Sequence, residues 1–337
     1  MGYQVGFGIL QAGHYGVAQT RRRCILLASA PGYKLPKFPE PTHVFDYKGC
    51  ESSKVKIDGI EYSNGLQWTE SAPFPTITIK DAISDLPPIQ NGDKKNRMKY
   101  AGPKTYFQQM MRKGCAQPNV MSDHICKPLS ALNEKRIKCI PIRPGSDWRD
   151  LPNKKTKLSN GEWAQKLKYE YMDFEKGLHP YTKTKTGVCP CLEKPGAKCS
   201  NPDNQDDTLI LWWMPHTGNT NNNYSGVYGR LAWDGFFPTT TTDPEPSRKQ
   251  GRSLHPDQHR VVSVRECARS QGFPDYWTFN GNLMEKHKQI GNAVAPPMGK
   301  AIGLEILKAL SQSPIVKIGE KSLETKIQED PMKTQIN

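Results

Sequence analysis

The chain has 337 residues, long enough for two domains and a sizeable core, yet only 36% of it is hydrophobic. Lys and Arg outnumber Asp and Glu by 47 to 33; the net charge of +14 and pI near 9.3 make a polyanion the expected partner class. No apolar run approaches bilayer-spanning length, and nine mostly scattered cysteines argue for a reducing compartment and against a disulfide framework.

The opening stretch MGYQVGFGILQAGHYG is apolar-rich and starts in mid-pattern, so Met1 is read as an internal methionine of a longer protein. Cys24–Ala28 (CILLA) reads as a strand buried on both faces, of the kind found in parallel or mixed α/β sheets. In extended chain Arg21 and Arg23 point one way and Arg22 the other. Pro31–Pro41 is a proline-studded exit loop. Thr76–Leu86 passes from alternation into a short helix stopped by Pro87 and Pro88. From about Gln90 to residue 258, Lys, Asn, Gly and Pro dominate, which predicts an irregular, loop-rich domain with some small β-structure. Its best strand candidates are Leu209–Met214 (LILWWM) and Gly229–Phe237 (GRLAWDGFF), and Thr239–Thr242 is a strand or a loop edge.

Val261–Asp275 (VVSVRECARSQGFPD) is the best-specified element. Ser263 and Glu266 form a capping box, with Val262 and Cys267 placed for a hydrophobic staple. Helix formers run to Gln271, Gly272 supplies a left-handed stop and Pro274 forbids continuation. Arg265 and Arg269, four residues apart, share a face. Gly291–Pro297 is a turn entering a helix, with Pro296 or Pro297 in its first turn. There Met298, Ala301, Ile302, Ile306, Ala309 and Leu310 form a core-facing stripe. The residues from Ser311 on read as a flexible tail.

Three stretches, weak singly, carry a resemblance in combination: QAGHYGVAQTRRRCILLASA (11–30), RECARSQGFPD (265–275) and QIGNAVAPP (289–297). In their order, with a long insert between the first two, they resemble the DNA (cytosine-5)-methyltransferase family. The similarity is closer to its maintenance branch through SDWRDLPN (146–153), Leu211–Asn219 and Lys249–Arg252. The resemblance covers residues 1 to about 310. It implies an α/β fold: a partial S-adenosylmethionine-dependent, Rossmann-like sheet interrupted by a loop-rich, zinc-containing target-recognition domain. It divides the chain into the end of the catalytic sheet (1–90), the recognition domain (91–258), a bracket helix and returning helix (259–310) and the tail (311–337).

The chemistry implied is methyl transfer from S-adenosylmethionine to C5 of a cytosine flipped out of the duplex, because C5 and C6 are unreachable in the stack. In the family's Gln-x-Arg-x-Arg motif, here Gln19 to Arg23, Arg21 and Arg23 line the catalytic pocket. Always-charged planar forks suit a backbone phosphate, the cytosine O2 or negative charge developing on the ring. Asn292 and Val294 match the Gly-Asn-x-Val motif of the cofactor pocket, although an asparagine just before a helix also serves as a cap. The family's Pro-Cys-Gln nucleophile loop, Phe-x-Gly-x-Gly turn and Glu-Asn-Val segment do not occur. The only Pro-Cys pair, Pro190-Cys191, precedes Leu192 within the insert. The spacing of Gly6, Gly8 and Gly13 does not fit a cofactor turn. Without the thiolate the covalent route is closed, so the isolated chain is expected to be inactive.

Cys189, Cys191 and Cys199, with His216, are the best metal candidates: three thiolates and an imidazole suit four-coordinate structural zinc, as this branch implies. The alternative is free thiols with a surface histidine. Cys24, Cys50, Cys115, Cys126, Cys139 and Cys267 have no partner pattern and read as small apolar fillers. Lys249 and Gln250, flanked by Arg248 and Arg252, match the branch's recognition loop and are suited to guanine and other base edges. Phosphate contact without base reading is the alternative for Arg248–Arg252. Tyr224, Val227 and Ser247 occupy positions of the notch that receives the parental methyl group, with Trp213 and Met214 nearby. Ser247 stands where the branch has methionine. The implied partner is double-stranded DNA carrying hemimethylated CpG, the implied location the nucleus, with regulatory domains upstream. The competing class is a non-catalytic CpG-binding module.

Overall fold

The computed structural model describes residues 2–45, 54–57, 59–63, 71–93, 95–168, 204–216, 224–248 and 252–312. Strand β1 (Gln4–Gln11) turns through a 3-10 segment (Ala12–Tyr15) and returns as β2 (Arg22–Ser29), antiparallel, with Gln4 opposite Ser29 and Gln11 opposite Arg22. Gly16, at φ 82°, takes the left-handed position that closes the 3-10 turn. A Cβ at Gly13 would overlap the Phe45 ring, so this glycine serves packing. One face of the hairpin packs Leu10 and Ile25, with Ala12, Tyr15 and Val17 of the turn, against Ala295, Met298 and Ile302. The other is open, and Leu26 is 67% exposed. CILLA is therefore not a strand covered on both faces. Five apolar residues in a row cannot distinguish full burial from an apolar residue left on the open face of a hairpin.

Three further antiparallel pairs follow: β3 (Lys54–Ile57) with β4 (Ile60–Ser63), β5 (Arg97–Lys99) with β6 (Val120–Ser122), and β7 (Thr156–Lys157) with β8 (Trp163–Ala164). Among the described residues every sheet is two-stranded and antiparallel, and parallel pairing is confined to isolated bridges such as Gln19 with Phe237. The two strand candidates of the insert do not form. Leu209–Met214 is a buried turn leading into a 3-10 segment (Met214–His216), and Gly229–Phe237 is irregular with a tight turn at Ala232–Gly235. Their apolar residues reach the core through turns rather than a pleat.

Helix α1 (Ile79–Ile83) starts at the Thr78/Asp81 capping box and ends at Ser84, earlier than Pro87 and Pro88 require. Helices α2 (Tyr106–Arg112) and α3 (Ala131–Cys139) lie where the composition predicts loop; Thr105/Gln108 and Ser130 cap them. Helix α4 (Val264–Ser270) has its predicted capping box, with Gly272 left-handed at φ 77°. Helix α5 (Leu283–Asn292), capped by Asn282 and Glu285, precedes α6 (Pro296–Ser311). Asn292 thus ends α5 instead of capping α6, whose N-cap is Ala295 with proline in the first turn. The predicted stripe of α6 is only partly covered: Met298 and Ala309 are buried, whereas Ile306 and Leu310 are exposed.

One core unites α1, α2, α4 and α5 through Ile79, Ile83, Phe107, Met111, Cys267 and Ile290, with Leu231 and Phe237 from the long insert. Val262 and Cys267, the predicted staple, both belong to it. A second core, inside the insert, gathers Ile137, Trp148, Met214, Val227, Tyr228 and Leu254.

Candidate functional site

Helix α4 is buried on every side, and its arginines are spent on architecture. Arg269, wholly buried, donates to both carboxylate oxygens of Asp275 at 2.9 and 2.6 Å, to Asp85 at 2.5 Å and to the Ala82 carbonyl at 3.0 Å. Burial alone would depress its pKa, but the two carboxylates outweigh it and hold the guanidinium charged. Arg265 donates to the carbonyls of Ser122 and Trp277, both at 3.0 Å, with Asp123 and Asp275 at 3.6 and 3.7 Å. Arg260 grips Glu266 in bidentate fashion at 2.6 and 2.8 Å. Burial would raise the Glu266 carboxyl, yet Arg260 holds it well below the usual carboxylate range. His255, beside Glu266 at 3.7 Å, is pushed down to about 4 by burial and is neutral at pH 7. Helix α4 therefore fastens α1, the β5–β6 pair and the 274–279 turn to one another.

Beside the bracket, four distant segments meet. Gln19 Nε2 donates to Ser270 Oγ at 3.1 Å, and Gln19 Oε1 accepts from the Thr240 amide at 3.0 Å. Arg21, 1% exposed, donates to the carbonyls of Thr240, Gly291 and Ala293 at 3.3, 2.5 and 3.0 Å. Gln271 donates to the Ile290 carbonyl. Asn292 and Val294 lie on the surface of this junction, and Val294 is 42% exposed. Arg23 is separated from Arg21 in role: it is half-buried and donates to the neighbouring Arg22 carbonyl.

From Thr240 the chain runs into the predicted recognition segment. Asp243 accepts from Lys127 at 3.3 Å and from Arg248 at 2.9 Å, while Glu245 takes Lys127 at 2.8 Å and the Asn133 amide at 3.3 Å. Ser247 Oγ reaches Glu245 at 3.4 Å. The 224–228 turn docks here through the Tyr228 amide on the Pro246 carbonyl at 2.7 Å. Tyr224 and Tyr228 both adopt positive φ, 49° in each case, a backbone held by this docking. Of the notch candidates, Val227 is fully buried in the insert core, and Tyr224 and Trp213 pack against that core half-exposed with Met214 beneath. Arg252 is exposed and donates to Ser225 at 3.3 Å. Lys249 and Gln250 lie outside the described residues, as do Cys189, Cys191 and Cys199. His216 ends its 3-10 segment half-buried, its ring 6.2 Å from that of Trp212.

Residues 1–308 match the family described as C-5 cytosine-specific DNA methylase. The chain belongs to that family. It is 54% identical over 93% of its length to DNA (cytosine-5)-methyltransferase 1 of Mus musculus and 55% identical over 91% to that of Gallus gallus. It is 56% identical over 91% to DNA (cytosine-5)-methyltransferase PliMCI of Paracentrotus lividus. It spans only 19 to 20% of the length of these relatives.

For a C5-methylase chain, the motif residues Gln19 and Arg21 meet the Gly291 and Ala293 carbonyls and Ser270 in one place, with Asn292 and Val294 on its surface, whereas Arg23 bonds the neighbouring Arg22 carbonyl. Of the residues that hold them there, Ser270, Gln271 and Gly291 belong to the motif stretches, whereas Thr240 was not foreseen. Nor were Lys127, Asp243 and Glu245, which fix the approach to the recognition segment. Nothing in a single sequence marks these positions, because Thr240 meets Arg21 219 residues away and Lys127 meets Asp243 116 residues away.

Proposed function

We propose that this chain is the C-terminal part of the catalytic region of a maintenance-type DNA (cytosine-5)-methyltransferase, acting in the nucleus on double-stranded DNA at hemimethylated CpG. The observation that carries this reading is the convergence of three motif stretches far apart in sequence: Gln19–Arg21, Ser270–Gln271 and Ile290–Ala293 are hydrogen-bonded into one junction. Residues 1–90 and 259–310 supply the catalytic side, 91–258 the recognition domain and 311–337 a tail. Regulatory domains upstream accord with relatives about five times as long.

In this reading S-adenosylmethionine, when bound, supplies the methyl group. The exposed Asn292 amide and Val294 side chain fit one wall of its pocket, a polar and an apolar group side by side on the surface. Arg23 holds a phosphate or the cytosine O2 and offsets negative charge on the ring. Lys249 and Gln250 read base edges, Arg248 and Arg252 grip phosphate, and Tyr224, Val227 and Ser247 border the methyl-receiving notch. Cys189, Cys191, Cys199 and His216 hold structural zinc, a donor set matched to that ion.

Because Pro-Cys-Gln does not occur in these 337 residues, we expect no methyl transfer by the chain alone, and the same fact favours the second reading, a CpG-binding module without activity. A tritium-transfer assay on hemimethylated duplex, run beside fluorescence anisotropy on CG and scrambled duplexes, separates the outcomes. Binding selective for CG without turnover is expected. Turnover would contradict the inactivity, and equal binding of both duplexes would contradict CG reading.

A further inference from the structure

Arg21 and Arg23 belong to one motif and look equivalent in sequence, but they are not equivalent in space. The Arg21 guanidinium is enclosed and its terminal nitrogens are committed to three main-chain carbonyls, while its Nε has no acceptor among the described residues. To reach a base or phosphate it would have to abandon those carbonyls. They belong to two segments with different tasks. Thr240 opens the path to the recognition segment; Gly291 and Ala293 flank Asn292, whose side chain faces outward. The segments also touch directly: a Cβ at Gly291 would lie 2.8 Å from the Thr242 nitrogen and 2.9 Å from the Thr241 carbonyl carbon. Only glycine permits this approach of two backbones.

We propose that Arg21 is a positioning residue, coupling the 239–243 segment on the DNA side to the 291–294 turn on the cofactor side, and that Arg23 alone of the pair meets the DNA. This deepens the functional reading above and rests on it. A guanidinium can span two segments with divergent donors; an ammonium is a point charge and cannot. Engagement of duplex by the residues after Asp243 then orders the surface bearing Asn292 and Val294.

Hydrogen exchange on the intact chain tests this with Arg21→Lys. Without DNA, the variant should exchange roughly tenfold faster in both 239–243 and 291–295, with 264–270 unchanged. Acceleration in one segment only, or in neither, overturns the clamp. With a hemimethylated CG duplex, wild type should gain protection at 291–295. The variant should bind within about threefold of wild type yet leave 291–295 unprotected. A tenfold or greater loss of affinity with 291–295 still protected in the complex would show Arg21 on the DNA and sink the proposal. Failure of wild type to bind any duplex would end the functional reading, while the DNA-free comparison still decides the clamp. Should Arg21→Lys not fold, Gly291→Ala separates the same two backbones from the other side. It should bind duplex without protecting 291–295, and retained protection would refute the coupling.

Discussion

Around α4, Arg260, Arg265 and Arg269 are each no more than 1% exposed and bind carboxylates and carbonyls of neighbouring segments. In the segment after Asp243, the Arg248 side chain is 60% exposed and, among the described residues, holds a single carboxylate, while Arg252 there reaches only a serine hydroxyl. The two regions use the same residue type to opposite ends. A net charge of +14 points to a polyanion partner, but several of the arginines are inside the molecule, matched by buried carboxylates and tying helices to loops. In the proposed reading, the arginines available to DNA are those whose partners leave the guanidinium open to water.

The contrast is sharpest at Arg269. Arg269→Leu would leave Asp85 and Asp275 as buried carboxylates without their main counter-charge, so unfolding free energy should fall by about 3–5 kcal/mol. Urea denaturation of the variant measures it. A loss no larger than that of a surface substitution would erase the distinction between the two regions.

Acid should attack the same interior next. His255 and His287 are both pushed down to about 4 by burial. In the unfolded chain each titrates at the ordinary value of 6.5. The unfolded state therefore binds more protons between those values, and stability present above pH 6.5 is lost as pH falls towards 4, by on the order of 2–3 kcal/mol per histidine. Denaturation midpoints at pH 7 and pH 5 check this, and a chain more stable at pH 5 would contradict it.

Helix α4 was legible because its signals are local: Ser263, Glu266, Gly272 and Pro274 act within a few residues of one another. Helices α2 and α3 carried comparable signals at Thr105/Gln108 and Ser130, but a polar composition masked them. The strands were harder. CILLA pairs with a neighbouring strand and leaves Leu26 in the open, while LILWWM packs on the insert core outside any named strand, so apolar content settled neither burial nor backbone form. The motif residues Arg21, Arg23, Asn292 and Val294 were found by resemblance. The work done by Arg21 was not, because its acceptors lie 219 to 272 residues away.

On the exposed side the effects should be small in stability and visible in binding. Arg248→Ala removes one half-solvated ion pair, so stability should change by less than about 0.5 kcal/mol. If it meets phosphate, affinity should drop for all duplexes alike, and the slope of log K against log salt should shrink by roughly 1. A loss confined to CG duplexes would make it a base reader instead.

The central claim, that arginines of the bracket hold the molecule together and those after Asp243 meet DNA, is tested most directly at Arg265. Unfolding free energy and duplex affinity should be measured together on Arg265→Ala, the affinity at a temperature where the variant is folded. The account predicts a stability loss of about 2–4 kcal/mol with the affinity of the folded protein retained. Unchanged stability with DNA binding abolished would contradict it.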